Sequence, residues 1–79
     1  MVEIKPLAEK DLKAIPKTDS IKILNHILKL RDGLKGDIKK LTNFTPEYRL
    51  RVGKYRILFE IENKMIKVYR VIHRKESYR

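Results

Sequence analysis

Tyr48-Arg-Leu-Arg-Val-Gly-Lys-Tyr-Arg-Ile-Leu-Phe-Glu-Ile-Glu62, then Asn63-Lys64, then Met65-Ile-Lys-Val-Tyr-Arg-Val-Ile-His73, is the stretch that decides the fold. Apolar and charged residues alternate through it, the period of a half-buried strand. Two breaks divide it. Gly53-Lys54 is a two-residue turn with glycine first, suited to type II′. Asn63-Lys64 places Asn first, which accepts the positive φ that type I′ requires. The pattern predicts a three-stranded antiparallel meander over about 47–52, 55–62 and 65–73.

Alternation also assigns faces. Tyr48, Leu50 and Val52 point one way on the first strand, Arg49 and Arg51 the other. On the second, Tyr55, Ile57, Phe59 and Ile61 oppose Arg56, Leu58, Glu60 and Glu62. The third strand mixes apolar and basic residues on both faces, which suits a central strand covered partly on both sides. The face away from the core thus gathers Arg49, Arg51 and Arg56. The tail after the third strand can bring Arg74 and Tyr78 to its edge.

Ahead of this stretch the period changes. Val2 and Ile4 form a short strand. Pro6 fits the first turn of a helix, whose stripe of Ala8, Leu12 and Ile15 stops at Pro16. A second helix, capped by Thr18, Asp19 or Ser20, runs to about Arg31. Ile21, Leu24 and Leu28 lie on one line of it, with Ile23, Ile27 and Leu30 beside them. Asp32-Gly33 ends it, glycine taking a left-handed position. Residues 33–47 read as a connector, broken by Gly33, Gly36, Asn43 and Pro46. The predicted class is α+β, a two-helix hairpin packed on a small, mostly antiparallel sheet, with residues 1–79 as one domain.

A chain of 79 residues buries only roughly 60% of its unfolded surface, so its core is thin. It contains no cysteine, which excludes disulfides and thiolate chemistry. No apolar run approaches the ~20 residues of a membrane span, and the first residues lack the pattern of a secretion signal. The expected location is the cytoplasm, with no membrane partner. The net charge is +10. Residues 1–47 hold ten Lys/Arg against seven Asp/Glu, and residues 48–79 hold ten against three. Six of the seven arginines lie in the second part. A field of this size draws polyanions, and the arginine fork matches phosphate better than lysine does. A solvated sheet face with ordinary surface charge is the competing reading. Against it, clustered guanidinium groups repel one another unless an anion joins them.

Tyr-Arg-Leu-Arg-Val-Gly-Lys-Tyr-Arg-Ile-Leu-Phe-Glu-Ile (48–61) and His-Arg-Lys-Glu-Ser-Tyr (73–78) resemble the RelE branch of the RelE/ParE toxin superfamily. Ala-Glu-Lys-Asp-Leu-Lys-Ala-Ile-Pro (8–16) and Asp-Ile-Lys-Lys-Leu (37–41) sit where that family has its helical hairpin and basic connector. The resemblance implies the toxin of a type II toxin–antitoxin pair, an mRNA interferase. RelE-like members cut messenger RNA in the ribosomal A site by 2′-hydroxyl attack, without a metal or cofactor, and a protein antitoxin silences them. The implied partners are therefore a cognate antitoxin, the ribosome and mRNA. Carried over by motif, Arg49 and Arg51 stand where the best-known member has two lysines. Arg56 matches an arginine that holds the scissile phosphate. Arg74 matches one assigned to leaving-group protonation or charge stabilisation. Tyr78 matches a tyrosine that stacks on a base and orients the 2′-hydroxyl. The chain departs from the pattern in a shorter tail between Arg74 and Tyr78, in Ile72 where glycine is usual, and in ending at Arg79.

Such cleavage needs a base, a stabilised phosphate and an acid. Arginine donates paired hydrogen bonds to phosphate but stays protonated, so Arg49 and Arg51 are poor bases. His73 is the natural titratable candidate, a structural sheet-end histidine being the alternative. Glu47 is a lesser candidate base. Tyr78 can offer a stacking platform, and Lys39 and Lys40 can bind RNA phosphates in a positioning role. Two other readings use the same features: a ParE-like inhibitor of DNA gyrase, and a non-catalytic RNA- or ribosome-binding module. An antitoxin is expected to lie on the helical pair or across the basic face, its acidic residues meeting Arg49 and Arg51.

Overall fold

A computed structural model describes residues 2–33, 37–41 and 46–75. The order of elements is β1 (Val2–Ile4), α1 (Pro6–Ala14), α2 (Lys17–Lys29), a short 3-10 turn (Leu30–Asp32), β2 (Asp37–Lys40), β3 (Tyr48–Val52), β4 (Tyr55–Glu62) and β5 (Met65–His73). The strands form one sheet in the order β1-β5-β4-β3-β2, with β1 parallel to β5 and the other pairs antiparallel.

The meander forms as its turns dictate. Gly53 has φ +57°, and Asn63 and Lys64 both have positive φ, 52° and 65°. Those signs are the ones that a glycine-first type II′ turn and a type I′ turn require. Leu50, Val52, Tyr55, Ile57 and Phe59 are buried on one face of the sheet. Ala8 of α1 and Ile23 and Ile27 of α2 close over them in a single core with Ile66, Val68 and Val71. Of the two apolar lines on α2, the one through Ile23, Ile27 and Leu30 is the core line, whereas Ile21 and Leu28 are exposed.

Four expectations need correcting or completing. The first concerns residues 33–47, which are more than a connector: Asp37–Lys40 is an edge strand. It pairs antiparallel with β3, Asp37 opposite Arg51 and Lys39 opposite Arg49. Three of its four residues are charged, the composition by which exposed edges avoid further pairing, and that composition hides the apolar alternation of a strand.

The second concerns β5. It is an inner strand with no exposed residue, as its mixed faces suggest, but the mixing also records a bulge. The β4–β5 register shifts between Leu58 and Phe59: Leu58 faces Arg70, Phe59 faces Val68, and Tyr69 is the extra residue. One inserted residue reverses side-chain parity. Ile66 and Val68 therefore point to the core before the bulge, and Val71 points there after it.

The third concerns α2, which starts earlier than its polar residues suggest. Pro16 holds the cap position, with no side-chain cap hydrogen bond. Ile15, restricted by the following proline, is extended. Thr18, Asp19 and Ser20 thus fall inside the first turn. Ser20 Oγ donates instead to the Leu12 carbonyl at 2.6 Å, tying the two helices together.

The fourth is Gly33. It has φ +129° and ψ 163°, which is positive but extended rather than left-handed helical.

Candidate nucleic-acid interface

The sheet face opposite the helices is basic because register, as well as parity, brings its arginines together. Across β2, β3, β4 and β5 one row reads Asp37, Arg51, Arg56, Ile72, and the next begins Lys39, Arg49, Leu58. Neighbours in such rows lie about 5 Å apart at Cα. The rows enclose a cleft of about 420 Å³ lined by Lys39, Leu41, Arg49, Arg51, Arg56, Leu58 and Ile72. Four cations thus stand around an apolar floor of Leu41, Leu58 and Ile72. Sequence parity alone places Arg49, Arg51 and Arg56 here. Lys39 joins them because β2 pairs with β3, and Ile72 joins them because the bulge turns it to this side.

The side chain of Arg49 lies under the rim, with the residue only 8% exposed. Its Nη1 is buried without a hydrogen-bond partner among the described residues. Asp37 supplies a counter-charge: Oδ1 lies 3.8 Å from Arg49 Nη2 and Oδ2 3.9 Å from Arg51 Nε. Asp37 went unrecognised in the sequence because β2 itself did.

His73 and Arg74 lie elsewhere. With Lys54 and Lys75 they line a second cleft of about 440 Å³ at the end of the sheet, beside the β3–β4 turn. The Arg74 amide donates to the Lys54 carbonyl at 2.6 Å. His73 pairs across the sheet with Tyr55 and therefore faces the core side, opposite to Arg56 and Ile72. Its ring stands edge-on to Tyr55, with centroids 5.4 Å apart. Its Nδ1 accepts from the Lys75 amide at 3.1 Å, so the neutral ring carries its proton on Nε2.

Other candidates are placed more simply. Lys40 is exposed and pairs with Tyr48, on the side of the strand opposite Lys39. Glu47 is exposed, and its carbonyl accepts from the Leu41 amide at 2.6 Å. Tyr78 lies outside the described residues. Arg70 of β5 is held by Asp11 of α1, with Nε to Oδ2 at 2.8 Å and Nη2 to Oδ1 at 3.2 Å. Among the described residues no group of three His, Cys, Asp or Glu side chains could hold a metal ion, and no helix is long and apolar enough to cross a membrane.

Comparison with known proteins places this architecture. The sequence model of the ParE toxin of type II toxin–antitoxin systems matches residues 2–78. The chain belongs to that family, and within it is a RelE-like toxin. It is 49% identical over 45 residues to toxin RelE3 of Methanocaldococcus jannaschii. That match covers 57% of this chain and 51%, about half, of the relative. A chain of the RelB-RelE antitoxin-toxin complex from Methanococcus jannaschii superposes with a TM-score of 0.81 at 35% identity, covering 96% of this chain and 94% of that one. A chain of the archaeal RelE-RelB complex from Pyrococcus horikoshii OT3 gives 0.78 at 27% identity, covering 92% of each.

Proposed function

We infer that this chain is a ribosome-dependent mRNA endonuclease, kept silent by a protein antitoxin. The observation that carries this reading is the cleft in which Lys39, Arg49, Arg51 and Arg56 surround an apolar floor. Arginine forks bind phosphate oxygens in pairs, and the floor can take the apolar faces of a nucleotide. In the reaction the 2′-oxygen attacks the adjacent phosphorus and the bond to the 5′-oxygen breaks. The proton leaves the 2′-hydroxyl and the 5′-oxygen gains one. Arg51 and Arg56, side by side on neighbouring strands, stabilise the charge that grows on the phosphate. Arg74 acts from the end of the sheet on the leaving side, and Tyr78 stacks on a base.

His73 is suited to donating a hydrogen bond rather than to taking a proton. Its Nδ1 is occupied by the Lys75 amide, which leaves Nε2–H as its free function. With arginine where a base would stand, much of the rate comes from positioning on the ribosome. Lys39 and the exposed Lys40 contribute contacts to RNA phosphates. The solved relatives are complexes with antitoxins, which supports a cognate antitoxin here. Leu7, Ile21 and Leu28 are exposed on the helical layer and offer it an apolar surface.

Growth arrest on induced expression tests the reading. Arg56→Ala and Arg74→Ala should each abolish arrest while leaving the circular-dichroism spectrum unchanged. Removing one such electrostatic donor typically costs about 10²–10³ in rate. Full toxicity in both variants would overturn the proposal. The ParE description of the matching family favours a second reading, inhibition of DNA gyrase. A supercoiling assay separates the two, with unchanged gyrase activity expected.

A further inference from the structure

We propose that Asp37 is a built-in competitor for phosphate, a counter-ion that an RNA backbone must displace from Arg49 and Arg51, and that it sets the affinity of the cleft. The inference rests on the reading of this cleft as an RNA site. Asp37 is placed by the edge strand, where it faces Arg51 in register. One carboxylate oxygen is directed at each guanidinium, at 3.8 and 3.9 Å. Both contacts exceed hydrogen-bond length, so they attract by charge without using the directional donors of the arginines. The buried Nη1 of Arg49 still has no hydrogen-bond partner among the described residues. A buried donor left in this way is costly, and a third acceptor oxygen would relieve it. A carboxylate has two oxygens, both already directed elsewhere. A phosphodiester brings more acceptors and suits the arginine fork.

The Asp37 side chain is 56% exposed and can swing outward without breaking the β2–β3 backbone pairing. Among the described residues, those that line the cleft include four cations and no acid. Asp37, within 4 Å of two of those cations, opposes RNA entry. In a protein of net charge +10, it limits indiscriminate binding to RNA away from the proper substrate.

The test is fluorescence-anisotropy titration of a single-stranded, fully 2′-O-methylated RNA oligonucleotide, which cannot be cleaved, over a series of salt concentrations. Wild type, Asp37→Asn and Glu9→Gln are compared. Glu9 pairs with Lys13 on the exposed face of α1, so its variant removes the same charge away from the cleft. Asp37→Asn should bind several-fold more tightly than either. Its plot of log affinity against log salt should steepen by roughly 0.7, the value of one single-strand phosphate contact. Binding by Asp37→Asn equal to that of Glu9→Gln, weaker than wild type, or absent in all three proteins would overturn the proposal. The readout does not depend on cleavage. Tightening by Asp37→Asn in a protein that never cuts mRNA would sink the nuclease reading alone, whereas cleavage with unchanged binding would sink this one alone.

Discussion

Tyr55 illustrates how one side chain serves core and site together. Its hydroxyl donates to Asp19 Oδ2 at 3.1 Å, and its ring supports His73 edge-on. Burial, with the Asp19 hydrogen bond adding to it, raises its pKa above the ordinary tyrosine value. The folded state therefore holds this proton more tightly than the unfolded state does. The resulting stability is fully present below about pH 10, the unfolded value, and is lost as pH rises through the higher folded value. Tyr55→Phe should cost about 1 kcal/mol near neutrality. It should also unfold less steeply with alkali than wild type, as measured by urea titrations at intervals above neutral pH. An identical alkaline limb in the two proteins would refute the assignment. At this scale the sequence was informative for Arg49, Arg51 and Arg56, whose face follows from parity alone. It was silent on Asp37 and Asp11, because an acid's partner is fixed by register and packing that no spacing reveals.

Among the elements, β5 departs furthest from a regular pattern, and Asp11 explains how its irregularity is held. A bulge leaves the ladder disrupted. The Val71 amide beside it donates to Asp11 Oδ2 at 2.9 Å, while Arg70 grips the same carboxylate. Helix α1 is thus fastened to the sheet where the register shifts, and the shift sends Ile72 to the cleft and His73 to the core side. Asp11→Ala should cost about 2 kcal/mol, the order of one hydrogen bond to a charged group. Asp11→Asn, which keeps an acceptor for the amide, should lose less. Chemical denaturation of both variants measures the difference, and equal losses would mean that the carboxylate acts only as a charge. The hairpin turns were readable because Gly53 and Asn63 have few other uses at those positions. β2 was not, since a short charged edge strand is locally indistinguishable from a loop. The bulge left a trace in the mixed faces of the third strand, but double-sided burial produces the same trace.

For the whole molecule, the division of labour is clear. A thin core joins two helices to one face of the sheet, and the opposite face is left to carry charge. The sequence reached that layering and the arginine cluster. It did not separate the cleft around Arg56 from the one holding His73 and Arg74, because their division depends on which side of β5 each residue leaves. The central claim is that the arginine cleft cuts mRNA held on a ribosome. The most direct measurement adds the purified protein to a reconstituted translation reaction and maps breaks in the message by primer extension, beside the same RNA without ribosomes. Breaks at A-site codons only in the presence of ribosomes are the predicted result, and an intact message on translating ribosomes would contradict it.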